Sequence, residues 1–493
     1  MDTTRKPDVT NERTSTGVEG LDVVVGGGLF KNAIYMISGR PGAGKTILSN
    51  QIAFQHVRDG GRVVYATLLA EAHGRLISQL RGLSFFDEKA IGKELKYLNA
   101  LEAMAEGGLH GLLELLRRMV RDNRATLLVL DGMVTAETLA KSTDEYKRFI
   151  SELQTWVTIV GCTVIFLTSS GLGGAVSPEH TMVDGILELS SERFDMRTIR
   201  YLSVVKLRGT AFLEGRHSYT ITSDGVVVYP RTEARVYLPE EGRSPSSARL
   251  PSGVRNFDAA LGGGIVAQST TLLIGSSGAG KTIMGLQFLA EGARRGEKCL
   301  HFGCYETPAL VVAKADRLGL DFSGLTEKRD LFITWFRPAE VLIDALVSEL
   351  LAIVREKKIE RLFIDGFVGF RSTHPPDRVS AVFSAVSDRL IAHGVTTLIS
   401  DETRELFVRE VEVPTANVSA IFHNIVFLRQ VEVGAELLRL VSVMKTRDSA
   451  PDRRLWRYEV GDGGVELLEP FTAADNRLMI GGGGKTSGGR KER

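Results

Sequence analysis

The chain carries one octapeptide pattern twice, and this repetition constrains its fold more than any bulk property does. Gly39-Arg40-Pro41-Gly42-Ala43-Gly44-Lys45-Thr46 and Gly275-Ser276-Ser277-Gly278-Ala279-Gly280-Lys281-Thr282 both read G-x-x-x-x-G-K-[ST]. Glycines in such a loop let backbone N–H groups converge on an anion. The lysine reaches the outer phosphates of a nucleotide, and the threonine hydroxyl serves a Mg²⁺ ion. Gly39, Gly42, Ala43, Gly44, Lys45 and Thr46 are therefore one set of candidate nucleotide ligands. Gly275, Ser276, Gly278, Ala279, Gly280, Lys281 and Thr282 are the other. An apolar stretch precedes each loop (33–37 and 270–274) and a helical pattern follows it. This predicts a strand–loop–helix unit whose helix N-terminus points at the phosphates.

The repeat extends well beyond the loops. A spacing of 236 residues separates Gly17 from Gly253, Asp22 from Asp258, Gly26 from Gly262, Lys45 from Lys281 and Gln51 from Gln287. Asp131 and Asp365 are 234 apart, and Lys206 and Lys445 are 239 apart. A unit of about 235 residues is far longer than a solenoid repeat, so a whole domain is duplicated. The expected division is a short extension over 1–13, a first domain over 14–235, a linker over 236–249, a second domain over 250–470 and a flexible tail over 471–493. The linker region around 239–247 mixes Pro, Ser, Gly and charge, and the tail is glycine-rich and basic. A chain of 493 residues suits two domains.

Within the first copy, strands are predicted at 62–69, 126–131 and 163–168, with helices at 46–57 and 109–120. The second copy repeats the order, with strands at 298–302, 361–365 and 396–400 and a helix at 341–354. Strands alternating with helices predict an α/β fold in which each domain is a mainly parallel sheet flanked by helices. The net charge is +1, which supplies no global field for nucleic acid or an anionic membrane. Cys162, Cys299 and Cys304 lie in apolar surroundings without metal-ligand spacing and read as buried thiols of a reducing, cytoplasmic setting. No leading apolar segment or long apolar run suggests a signal peptide or membrane span.

ATP hydrolysis needs a metal partner, a group that orients water, and cations for the developing charge. Asp131 and Asp365 each close an apolar strand and are the expected metal-binding acids beside Thr46 and Thr282. Glu71 and Glu306 each follow the next predicted strand end, which faces the same crevice as the loop in a parallel sheet; they are the candidate bases. Lys206-Leu207-Arg208 and Lys445-Thr446-Arg447 place two cations on one face of a strand. In a ring they would reach the neighbouring subunit's terminal phosphate.

Taken together, a Thr/Ser-Gly preamble, L-D-x-x-x-G-G-G-like turns (Leu21-Asp22 with Gly26-Gly27-Gly28; Phe257-Asp258 with Gly262-Gly263-Gly264), tandem P-loops and a late K-x-R in each half resemble the KaiC family of circadian-clock ATPases and autokinases. The family is RecA-like, and the resemblance covers about 14–230 and 250–470. It implies a homohexameric double ring with Mg²⁺–ATP at subunit interfaces, slow hydrolysis in the first ring and Ser/Thr autophosphorylation in the second. It also implies clock-type or signalling protein partners. The sequence departs from the family in two places. KaiC-type domains carry adjacent glutamates at the base position, whereas Ala70-Glu71 and Tyr305-Glu306-Thr307 keep one each. The family's paired acceptors are a serine and then a threonine; counting back from Val431-Glu432 gives Ser419 and Ala420, with His180 as the first-copy counterpart. Ser419 is therefore the single acceptor candidate.

Two other readings stay open. RecA-type DNA handling shares this fold, but the segment 401–414 holds Asp401, Glu402, Glu405, Glu410 and Glu412 against Arg404 and Arg409, which weighs against nucleic acid. A nucleotide-gated scaffold with little turnover would suit sites that have each lost a glutamate.

Overall fold

The computed structural model describes residues 12–69, 73–169, 181–194, 196–234, 247–337, 341–366, 376–403, 421–433, 436–447 and 452–471. The chain divides into two compact units, Met1–Ala234 and Arg235–Arg493.

The first unit opens with β1 (Arg13–Thr14), the one-turn α1 (Leu21–Val24) and β2 (Leu29–Phe30), with β1 and β2 paired antiparallel. Asp22 organises this preamble by accepting hydrogen bonds from the Ser15 hydroxyl at 2.6 Å and from the Thr16 N–H and hydroxyl at 3.0 and 2.6 Å. Then come β3 (Ile34–Gly39), α2 (Lys45–Arg58), β4 (Val63–Thr67), α3 (His73–Leu80), β5 (Leu95–Asn99) and α4 (Leu101–Asn123). The chain continues through β6 (Leu127–Asp131), α5 (Met133–Leu139), α6 (Thr143–Val160) and β7 (Thr163–Thr168). It closes with β8 (Gly185–Phe194), β9 (Arg197–Leu207), β10 (Arg216–Thr222) and β11 (Gly225–Tyr229).

These strands form one sheet in the order β11-β10-β9-β8-β3-β7-β6-β4-β5. It is parallel from β5 to β8 and antiparallel from β8 to β11. Alternate residues of the parallel strands face opposite sides. Tyr35, Ile37, Val63 and Tyr65 pack with α2 and α3, whereas Ile34, Met36, Val64 and Ala66 pack with α4, α5 and α6. The helix expected at 109–120 is the longer part of α4, which breaks at Gly108 (φ 60°, ψ −155°).

The second unit repeats the plan. It runs β12 (Arg249–Leu250), α7 (Phe257–Ala260), β13 (Ile265–Val266), β14 (Thr270–Gly275), α8 (Lys281–Arg294), β15 (Cys299–Gly303), α9 (Pro308–Arg317) and α10 (Phe322–Glu327). Next are β16 (Leu331–Trp335), α11 (Ile343–Lys357), β17 (Arg361–Asp365), α12 (Pro376–Ala392) and β18 (Thr396–Glu402). β19 (Asn424–Val433), β20 (Glu436–Lys445), β21 (Trp456–Gly461) and β22 (Gly464–Pro470) complete it. The sheet order β16-β15-β17-β18-β14-β19-β20-β21-β22 matches the first, strand for strand.

Both sheets are thus RecA-like α/β sheets with a parallel centre, as expected, and each adds an antiparallel meander of which only the strands carrying Lys206 and Lys445 are expected from the sequence. Gln51 and Gln287, found by the repeat, tie that meander to the rest of each unit. Gln51 Oε1 accepts from Val226 N–H at 2.8 Å while its amide donates to the Gly17 carbonyl at 3.3 Å; Gln287 does the same with Val465 at 2.9 Å and Gly253 at 3.4 Å. All three cysteines are buried free thiols, and burial pushes Cys162 and Cys304 up to about 12. Among the described residues no helix is long and apolar enough to cross a membrane.

Candidate functional site

Each phosphate loop joins a central strand to the helix behind it, β3 to α2 and β14 to α8. The turn into each helix is left-handed at Gly44 (φ 93°) and Gly280 (φ 89°), which disfavours any side chain. A Cβ on Gly44 would also stand 2.6 Å from Ile221 Cδ1, whereas one on Gly42 meets nothing within 4 Å, so the loop is closed on its sheet side and open on the other. Lys45 Nζ donates to the Gly39 and Arg40 carbonyls at 2.6 and 3.2 Å, and Lys281 Nζ to those of Gly275 and Ser276 at 2.8 and 2.7 Å. Burial lowers the pKa of both lysines, and nearby carboxylates oppose the shift.

A tyrosine from the antiparallel meander clasps each loop. The Tyr219 hydroxyl donates to the Ala43 carbonyl and the Tyr458 hydroxyl to that of Ala279, both at 2.5 Å. Sequence reasoning missed this pair. The signal was there, since the two tyrosines are 239 apart, as are Lys206 and Lys445.

Asp131 and Asp365 end the central strands β6 and β17, 7% and 9% exposed. Thr46 Oγ1 lies 3.3 Å from Asp131 Oδ2, and Thr282 Oγ1 lies 3.0 Å from Asp365 Oδ2. A loop hydroxyl beside a strand-end carboxylate supplies the hard oxygen donors that suit Mg²⁺, which takes few protein ligands and fills its shell with water and phosphate. No group of three or more metal-ligating side chains, such as a Zn²⁺ cage needs, occurs among the described residues.

The two acids are held differently. In the first unit the fully buried Tyr65 hydroxyl donates to Asp131 Oδ2 at 3.3 Å and stands 3.0 Å from Ser49 Oγ. The second unit has His301 and Gly285 at those positions. His301 is 2% exposed with Nε2 4.0 Å from Asp365 Oδ2, and burial holds its pKa down. There the supporting hydroxyl comes from β18: Ser400 Oγ donates to Asp365 Oδ1 at 2.6 Å and accepts from Gly366 N–H at 2.9 Å. Strand register places Leu167 of β7 where Ser400 stands.

Of the base candidates, Glu71 lies outside the described residues. Glu306 lines a cavity of about 410 Å³ together with Lys281, Thr282, Asp365, Lys314 and Arg439. Its Oε1 is ion-paired with Lys314 of α9, and Oε2 is buried without a partner among the described residues. Neither Lys314 nor Arg439 was singled out from the sequence.

The K-x-R pairs follow matching β-bulges, between Ile186 and Leu187 opposite Lys206, and between Ile425 and Val426 opposite Lys445. Lys206 Nζ and Arg208 Nη2 both donate to the Thr181 carbonyl, at 3.1 and 3.2 Å, so the two cations do share a face. Arg208 also pairs with Asp184 at 3.6 Å. Lys445 donates to the Phe422 carbonyl at 2.8 Å, and Arg447 is exposed beyond the end of β20. Lys445 is six residues along β20 from the cavity-lining Arg439, about 20 Å of strand. Ser419, Ala420, His180 and the acidic segment past residue 403 lie outside the described residues.

Comparison with known proteins agrees with this architecture. The family model described as "ATPase: KaiC" matches residues 14–233 and 250–471. The "Circadian clock oscillator protein KaiC" of Picosynechococcus sp. is 24% identical over 482 residues, covering 93% of this chain and 90% of the relative. "Circadian clock oscillator protein KaiC 1" of Synechocystis sp. is 25% identical over 491 residues, covering 94% and 91%. The protein of the former name from Nostoc sp. is 24% identical over 493 residues, covering 93% and 90%.

Proposed function

The chain belongs to the KaiC family of ATPases, and from that premise we propose that it binds Mg²⁺–ATP at both loops, works as a homohexameric ring and carries Ser/Thr autokinase activity in its second unit. The role would be clock-like or signalling regulation with protein partners. The observation that carries this reading is the doubling of one arrangement: a loop lysine, a loop threonine and a strand-end aspartate in each unit, with the hydroxyl and carboxylate within 3.3 Å of each other.

Lys45 and Lys281 would draw in the outer phosphates and neutralise charge on them. Thr46 with Asp131, and Thr282 with Asp365, would hold Mg²⁺, which supplies further charge neutralisation on the phosphates. Glu71 and Glu306 would orient the attacking oxygen and take its proton. Lys206 with Arg208, and Lys445 with Arg447, would serve the site of the next subunit; Lys445 and Arg447 form no part of their own unit's cavity wall. This favours a ring over a lone chain. The DNA-handling alternative is disfavoured by the acidic sequence 401–414, whose five carboxylates outnumber its two arginines and would repel a phosphate backbone.

The test is one incubation with γ-labelled ATP and Mg²⁺ followed by sizing. The account expects a hexamer-mass peak, free labelled phosphate, and protein-bound label at Ser419 that is lost in both Ser419→Ala and Glu306→Gln. Bound label elsewhere would overturn Ser419 as acceptor, label that survives Glu306→Gln would overturn Glu306 as base, and no bound label at all would remove the kinase; a monomer at saturating ATP would remove the ring.

A further inference from the structure

In the second unit we propose that Lys314 senses the terminal phosphate: it pairs with Glu306 until a nucleoside triphosphate binds, then moves to the γ-phosphate and frees Glu306 for the attacking water. The proposal rests on the reading that the second loop binds ATP.

Lys314 and Glu306 sit in contact on the wall of the cavity that Lys281, Thr282 and Asp365 also line. Their side chains are each 31% exposed. Ion pairs at that exposure are weak, so a more highly charged anion entering the cavity can take the lysine. Glu306 Oε2 is buried with no partner among the described residues. A buried carboxylate oxygen without a hydrogen bond is costly, and a water or hydroxyl donating to it would be held where a base must hold its nucleophile. With Lys314 on its other oxygen the carboxylate is held by the ion pair; with Lys314 withdrawn both oxygens can turn to the attacking water.

Charge explains why this unit needs the extra cation. Its cavity wall carries four carboxylates, Glu306, Asp365, Asp401 and Glu402, against the three cations Lys281, Lys314 and Arg439. In the first unit Thr168 and Ser169 stand where Asp401 and Glu402 do, and by the spacing of Glu71 and Glu306 the place of Lys314 on α3 is taken by Gln79, with Arg75 at the place of Leu310. A diphosphate lacks the group that would draw Lys314 away, so the device separates ATP from ADP as well as timing the base.

In turnover the water oxygen bonds to the γ-phosphorus and the bond from that phosphorus to the β–γ bridging oxygen breaks. ADP leaves and Glu306 takes the water proton.

The experiment uses the full chain with Lys45→Ala, so that the second loop reports alone, and measures dissociation constants for ATP and ADP by competition with a fluorescent nucleotide. Lys314→Gln and Lys314→Met should each cut the preference for ATP over ADP about tenfold, mainly through weaker ATP binding, because only ATP carries the group sensed. Lys314→Arg should keep most of the preference, and Glu306→Gln, which releases the lysine, should raise it. A lysine with a merely structural role would weaken both nucleotides together and leave the ratio alone. An unchanged ratio with binding intact would overturn the proposal by itself. Loss of all nucleotide binding in the Lys45→Ala chain would overturn the reading of the second loop and the proposal with it.

Discussion

At the residue scale, the two sites share the groups that meet phosphate and metal but differ in what stands behind them. Asp131 leans on Tyr65 of β4, and Asp365 leans on Ser400 of β18. Neither support has a counterpart at its own position in the other unit, where His301 and Leu167 stand. A hydrogen bond to a carboxylate contributes about 1.5–3 kcal/mol, so Tyr65→Phe and Ser400→Ala should each raise the Mg²⁺ needed for half-maximal nucleotide binding roughly tenfold. Each effect should stay in its own unit. Magnesium titration of fluorescent-nucleotide binding, with the other loop silenced by Lys45→Ala or Lys281→Ala, would show this; a Ser400→Ala effect on the first loop would refute it. This difference also marks the limit of the sequence reading. Subtraction along the repeat finds what the copies share, so Lys45, Thr46, Asp131, Gln51 and their partners were legible. Tyr65, Ser400 and Lys314 each occur in one copy only, and no repeat could point to them.

At the scale of elements, the apolar runs of the central strands announced the parallel half of each sheet, because strands buried on both faces leave little polar alternation. The antiparallel half was harder to see. β9 and β20 mix half-buried cations with buried aliphatics and each partners a bulged pairing, which breaks the period a reader would follow. Arg361, first residue of β17, misleads in another way: at a strand start it reads as a surface cation, yet its side chain is fully buried. It forks onto Glu297, donates to the Pro251 and Phe288 carbonyls at 2.8 and 3.2 Å, and stacks on Phe288 at 4.8 Å. Gly292 of α8 makes the room, since a Cβ there would stand 2.4 Å from Arg361 Cδ. Arg361 thus joins the preamble, α8 and the strand that carries Asp365. Removing one partner of such a pair costs about 3–5 kcal/mol. Arg361→Ala should lower the denaturant midpoint of the second unit's unfolding accordingly, and Arg361→Leu, which copies Leu127 of the first unit, should lower it less. Equal losses for the two variants would show that the guanidinium network, which neither side chain replaces, holds the elements together, and that the packing leucine restores contributes nothing.

At the scale of the whole molecule, one scaffold is used twice and furnished differently. The first unit supports its loop with a buried polar set, Ser49 with Tyr65 and Asn50 with Tyr97 at 2.7 Å, where the second has Gly285, His301, Leu286 and Ile333. The second unit instead gathers carboxylates and the Lys314–Glu306 pair around its cavity. Duplication followed by divergence of this kind gives two nucleotide sites that need not turn over alike. The central claim is that both loops are working ATP sites. Steady-state ATP turnover of the wild-type chain, Lys45→Ala, Lys281→Ala and the double variant tests it most directly. Losing a phosphate-clamping cation should cost its site about 100-fold or more, so each single variant should retain only the other site's rate and the double variant almost none. A double variant that turns ATP over near the wild-type rate would contradict the account.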